Sequence, residues 1–165
     1  MSIHVNVSSE QLKRPNFIQQ LEEVLYTTAI NPNLLKLEIT ESVLIENQKA
    51  FYKIYSAIRN MGVHLQIDDF GTGYSSLKYL QHIPADTIKI DKSFVQEMED
   101  NEKNINLVCA MVNMAKSMEM EIVAEGVETP AQLEKLKELK CDFAQGYLFY
   151  KPLPPADLEE IFLAA

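Results

Sequence analysis

The sequence predicts an α/β fold in which about six parallel strands, each followed by a helix, curl into an incomplete (β/α) barrel of the TIM type. Three observations predict it. Short β-branched runs alternate with longer segments of helical periodicity. No hairpin signal such as Asn-Gly joins one run to the next, so neighbouring strands are expected to be parallel with helical crossovers. Finally, the strands alternate apolar and polar side chains, which a parallel sheet covered on both faces would not do.

The units follow in order. A strand over residues 3–7 precedes a helix over 9–28, whose Leu12, Phe17, Leu21, Val24 and Leu25 form one apolar stripe. A strand over 35–40 is followed by a helix over 47–61, where Phe51, Tyr52 and Tyr55 fall at packing positions. A strand over 63–68 leads to a helix over 74–82. The next, over 87–91, leads to a helical tract ending near Met118, with Met111 and Met114 on its packing face. A strand over 121–125 precedes a helix with Thr129 as N-cap, Pro130 in the first turn and Gln132 completing a capping box. The last strand, over 143–149, precedes a terminal helix from Ala156.

Alternation divides each strand into two faces. Ile3, Val5 and Val7 oppose His4 and Asn6; Leu35, Leu37 and Ile39 oppose Lys36 and Glu38. Val63, Leu65 and Ile67 oppose His64, Gln66 and Asp68, and Ile88 and Ile90 oppose Lys89 and Asp91. A half-solvated antiparallel sheet would show the same pattern, but helical connections turn the polar face inward. If right-handed crossovers lay helices on the apolar face, successive strands curl around a polar interior. Such an interior calls for a ligand, a metal or water to satisfy it.

Composition bounds the rest. The 165 residues, 47% hydrophobic and 24% charged, suit one globular domain over residues 1–165. No apolar run long enough for a membrane span occurs, nor does a basic segment leading into a secretory core. Cys109 and Cys141 stand in no metal-ligand spacing and are expected to be packed thiols in a reducing cytoplasm. A net charge of -9 argues against binding a nucleic-acid polymer through its phosphates.

Barrel sites gather at the C-terminal strand ends, and there the sequence places Asn6, Glu38, Asp68, Asp69, Lys89, Asp91, Glu125 and Gln145. Carboxylate and amide oxygens without nearby cysteine suit a hard divalent cation, Mg2+ or Mn2+. Two adjacent aspartates could serve two ions, with Asp68 inward by parity and Asp69 reaching in from the strand end. Each residue also has an ordinary reading: Asn6 as a turn or helix cap, Glu38 as an exposed acid, Lys89 as a salt-bridge partner, the two aspartates as an Asx turn before Gly71 and Gly73. Their shared position at successive strand ends weakens those readings together. Glu41 and Glu128, just past strand ends, suit loop anchors or ligands. His4 and His64 suit satisfied interior histidines, and His82 a helix end.

These residues lie in six motifs: Val5-Asn6-Val7-Ser8, Leu37-Glu38-Ile39-Thr40-Glu41, Asp68-Asp69-Phe70-Gly71-Thr72-Gly73-Tyr74-Ser75-Ser76-Leu77, Ile88-Lys89-Ile90-Asp91, Ala124-Glu125-Gly126-Val127-Glu128-Thr129 and Gln145-Gly146-Tyr147. In this order they resemble the EAL domain family, bacterial hydrolases that open cyclic di-GMP to linear pGpG with two magnesium or manganese ions. The resemblance implies that Asn6, Glu38 and Asp68 hold one ion and Asp68 with Asp69 the second. Lys89 would position the catalytic water, Glu125 would act at the metals or as a base, and Gln145 would orient that region. Glu41 is similar to the glutamate that anchors the loop over 70–77. Asp91, Glu128, Tyr147 and Pro152 would contact substrate. The resemblance also implies a homodimer, and sensory or diguanylate cyclase domains in a parent protein.

A complete barrel of this kind takes about 250 residues and eight strands. The Glu-Ala-Leu tripeptide for which the family is named occurs nowhere in the sequence, so one metal position is expected to be unfilled by this chain. The expectation is a truncated domain of doubtful activity alone, an excised fragment or a chain completed by a partner. A non-catalytic module that binds cyclic di-GMP or a protein is the alternative. An unrelated magnesium barrel enzyme, with Lys89 as the base that forms an enolate, is the third.

Overall fold

The computed structural model describes residues 2–46, 48–73, 85–99 and 101–163. Its strands β1 (Ile3–Asn6), β2 (Leu35–Thr40), β3 (His64–Phe70), β4 (Thr87–Ile90), β5 (Glu121–Ala124) and β6 (Phe143–Ala144) form one sheet in chain order. Every pairing is parallel. The sheet curls. Lys36 on β2 meets Glu121 on β5 at 3.2 Å, whereas strands three places apart in a flat sheet lie about 14 Å from each other. The six strands are therefore a half-barrel, with one open edge along β1 and another along β6.

The expected faces hold. Leu37, Ile39, Leu65, Ile67, Ile88, Ile90 and Ile122 are buried on the convex side, where they pack with Ile58, Val95, Val108, Val112 and Leu136 from the helices. The concave side carries Glu38, Gln66, Thr87 and Lys89, all buried although polar. At the open β1 edge Ile3 and Val5 remain 44% and 42% exposed.

The helices differ from expectation in instructive places. Instead of one helix over 9–28 there are two, α1 (Ser9–Leu12) and α2 (Phe17–Thr28). Pro15 lies between them, and a proline lacks the N–H that a continuous helix needs. A short 3-10 turn, Pro32–Leu34, leads into β2. The next helical segments are α3 (Glu41–Glu46), which starts where β2 ends and was not expected, and α4 (Gln48–Asn60). The tract toward Met118 is also divided, into α5 (Lys92–Gln96) and α6 (Glu102–Ser117), because Asn101 caps a new start by accepting from Lys103 N. The capping box at α7 (Pro130–Glu138) is formed as read, with Thr129 and Gln132 reciprocally bonded. The terminal helix is α8 (Pro155–Leu163). The helix expected over 74–82, with His82 at its end, lies outside the described residues.

Strand β6 is two residues long rather than seven. Its continuation folds back instead: Leu148 N donates to Val127 O at 2.9 Å and Phe149 N to Gly146 O at 3.1 Å. Gly146 permits this by lying against the backbone of Val127. A Cβ at that position would press on the Val127 carbonyl oxygen and nitrogen, and would sit 2.7 Å from its carbonyl carbon. Gly146→Ala is therefore expected to cost about 1–3 kcal/mol, as overpacking against rigid backbone does. A urea midpoint equal to that of the parent would disprove the tight approach. Cys141 is packed as expected, its Sγ facing the Phe143 carbonyl at 3.2 Å. Burial pushes its thiol pKa up to about 11.

Candidate metal and catalytic site

The site is built from the polar ends of β2, β3, β4 and β5. Lys89 projects from β4 into the concave interior and is 3% exposed. Its Nζ lies 3.0 Å from Glu38 Oε2 and 2.6 Å from Glu125 Oε1. Asp68 Oδ1 faces the same ammonium at 3.1 Å, as an ion pair rather than an aligned hydrogen bond. Glu38 is bound on both oxygens, since its Oε1 meets His4 Nδ1 at 3.1 Å.

The aspartate pair reaches the site through a backbone device. In β3, Ile67 pairs with Ile88 and Phe70 with Ile90, so three steps along β3 match two along β4. The extra residue is a bulge, and Asp69 carries it in the left-handed region at φ 53°. Phe70 thereby returns to the buried convex face, while Asp68 and Asp69 both reach the polar side. Oxygens of Asp68, Asp69 and Glu125 lie within 4.8 Å of one another. Simple parity points Asp69 outward; the bulge brings it in.

The electrostatics follow from this crowding. Burial works against the Lys89 ammonium, but hydrogen bonds to Glu125 and Glu38 and the charges of Glu125 and Asp68 outweigh it and hold its pKa well above the usual lysine value. These surroundings favour the ammonium form of Lys89, which counts against the base role that an enolate-forming enzyme would give it. Burial raises the Glu125 carboxyl above the ordinary carboxylate range; Lys89 opposes the rise, while Asp68 and Glu38 add to it. Asp69 is raised by burial and then by the charges of Asp68 and Asp91. Three carboxylates, those of Glu38, Asp68 and Glu125, pair with one ammonium, and Asp69 lies beside Asp68 and Glu125. A hard, all-oxygen donor set with excess negative charge is chemically suited to a divalent cation.

The other expected residues make their contacts outside this cluster, and none of the cluster's residues lines the cavity that holds Gln145, Tyr147 and Pro152. Asn6 ends β1 in register with Glu38. Glu41 is 3% exposed and its Oε2 accepts from Gly71 N at 3.0 Å, so it ties the start of the loop after β3 to α3. Asp91 caps α5 by accepting from Ser93 N at 3.0 Å. Glu128 is exposed and accepts from Gln96 Nε2 at 3.2 Å. Gln145 is held by its backbone, with its N–H bonded to Ala124 O and its carbonyl to Val127 N. Gln145, Tyr147 and Pro152 line a cavity of about 800 Å³ along the open side of the half-barrel, where Lys151 stands 5.7 Å from the Tyr147 ring centre. His4 lines the same cavity and connects it to Glu38. Gln66 lines it too, fully buried and with no hydrogen-bond partner for its amide among the described residues. The alternation placed Gln66 on the polar face but could not show its isolation.

Comparison with known proteins gives a family and a fold. The EAL domain model matches residues 1–152. Cyclic di-GMP phosphodiesterase NbdA of Pseudomonas aeruginosa is 39% identical over 164 residues, 99% of this chain and 21% of NbdA. The solved PaMucR phosphodiesterase in complex with c-di-GMP superposes with a TM-score of 0.90 at 39% identity, covering 95% of this chain and 64% of that one. The manganese and cy-diGMP complex of Klebsiella pneumoniae BlrP1 gives 0.82 at 29% identity, covering 89% and 38%. The chain spans about a fifth of the length of curated relatives that it matches. No helix among the described residues is long and apolar enough to cross a membrane. With the family model matched over residues 1–152, this chain belongs to the EAL domain family.

Proposed function

We propose that this chain carries most of the site of a metal-dependent phosphodiesterase that hydrolyses cyclic di-GMP to pGpG. The observation that carries the reading is the Lys89 centre, where three carboxylates converge on one buried ammonium with Asp69 beside them, within a fold shared with phosphodiesterases. Asn6, Glu38 and Asp68 would hold one ion, Asp68 and Asp69 a second, with Mg2+ or Mn2+ as the fitting metals. Bound there, divalent ions supply positive charge for the phosphate oxygens and acidify a water.

The chain's own residues account for the rest. Lys89, held as an ammonium by its carboxylate neighbours, positions the attacking water and offsets charge that develops at phosphorus. Glu125 accepts the water's proton, a task helped by its raised pKa. The water oxygen bonds to phosphorus, the bond to the ribose 3′ oxygen breaks, and that oxygen takes up the proton that Glu125 received, leaving as the 3′ hydroxyl of pGpG. Gln145 orients the mouth of the site, Glu41 fixes the neighbouring loop, and Tyr147 and Pro152 wall the cavity for a base or ribose. Asp91 and Glu128 would act on substrate through the loops that they hold in place. A cytoplasmic location, a homodimer and covalently joined sensory or cyclase domains belong to the same proposal.

The competing reading is a module that binds cyclic di-GMP without hydrolysing it. The test is an assay of the protein that contains this chain, with Mn2+ and cyclic di-GMP, and chromatography of the products. Accumulation of pGpG is expected. Calorimetric binding without turnover would select the module, and absence of both would refute either reading.

A further inference from the structure

Glu38 is held from two sides, and the second holder is a residue outside the ligand set. His4 lies on the same face of β1 as Asn6, two residues earlier, and its register partner is Lys36, two residues before Glu38. From this diagonal position its Nδ1 meets Glu38 Oε1 at 3.1 Å, while Ser2 Oγ meets Nε2 at 3.0 Å. Both contacts are satisfied when Nδ1–H donates to the carboxylate and Nε2 accepts from the serine hydroxyl. The side chain of Glu38 is 7% exposed, so its conformation is set by these partners rather than by water. Its other oxygen, Oε2, is the one aimed at Lys89.

We propose that His4 is a positioning residue for the metal centre: it commits Oε1 of Glu38 and so presents Oε2 to the cluster. The inference rests on the phosphodiesterase reading for the presence of a metal, but the contact is a property of this chain. Without the imidazole, Glu38 can turn both oxygens toward the Lys89 ammonium and become a poorer ligand. Partners that orient ligating carboxylates typically change metal affinity by about 10–100-fold when removed.

Mn2+ titration of the whole protein by calorimetry tests this. His4→Ala is expected to weaken binding by about 10–100-fold. His4→Asn is expected to restore most of it, since the Asn amide nitrogen stands where Nδ1 stood and can donate the same bond. Unchanged affinity in His4→Ala, or a loss that Asn does not repair, overturns the inference while leaving the phosphodiesterase reading intact. A parent protein that binds no Mn2+ overturns that reading instead. His4 is then judged on imidazole 15N spectra of the metal-free protein: Glu38→Gln must shift the Nδ1 resonance, and an unmoved resonance overturns the inference.

Discussion

Lys89→Met is expected to cost the metal-free chain about 3–5 kcal/mol, because it removes the one cation of a buried cluster and leaves its carboxylates unpaired. Glu38, Asp68 and Glu125 each lose an ion-pair partner at 2.6–3.1 Å, and their side chains are only 7%, 15% and 18% exposed. Water can therefore replace little of what the ammonium supplied. Since whole domains are stable by about 5–15 kcal/mol, such a variant would sit close to unfolding. Mn2+ should recover more stability in Lys89→Met than it adds to the parent, since the cluster then has a greater need of positive charge. Lys36→Met provides the contrast. Its partner Glu121 is half exposed, so the loss should stay within about 1 kcal/mol. Urea unfolding with and without Mn2+ measures all three proteins. A loss below that of Lys36→Met would mean that the cluster does not depend on its lysine.

The difference between these lysines shows what one sequence can disclose. Strand alternation placed both on the polar face, and it correctly separated the buried convex residues Leu65, Ile67, Ile88 and Ile90 from the concave Glu38, Gln66 and Lys89. Alternation is local, set by the two-residue period of a strand, so it can be read without knowing the fold. The convergence of Glu38, Asp68 and Glu125 on Lys89 is not local. It depends on curvature that brings β2, β3 and β5 around β4, and no spacing within one strand encodes that curvature. The bulge falls between these cases. Ile67-Asp68-Asp69-Phe70 breaks the alternation by one residue, a visible signal, but its meaning appears only against the register of β4. Asp91 marks the limit of parity in another way. It stands on the inward side if the strand continues, yet β4 ends at Ile90 and the carboxylate caps α5.

Asp68→Asn is expected to abolish turnover in the protein that carries this chain, lowering kcat/KM by about 10³-fold or more, while leaving the fold nearly unchanged. Asp68 is the residue assigned to both ions, so the substitution weakens both ligand sets at once with little change in shape. Its effect on metal-free stability should be small, because two terms oppose each other. The variant loses the 3.1 Å ion pair with Lys89. It also removes a charge that pushes up the carboxyl groups of both Asp69 and Glu125. Lys89→Met and Asp68→Asn thus separate the two functions of one cluster. The first should fail mainly in stability and respond to added Mn2+; the second should unfold like the parent yet show a reduced response to Mn2+ and no pGpG. Turnover that persists in Asp68→Asn would remove Asp68 from the chemistry, and with it the argument that the bulge at Asp69 exists to bring two adjacent carboxylates to one side of the strand.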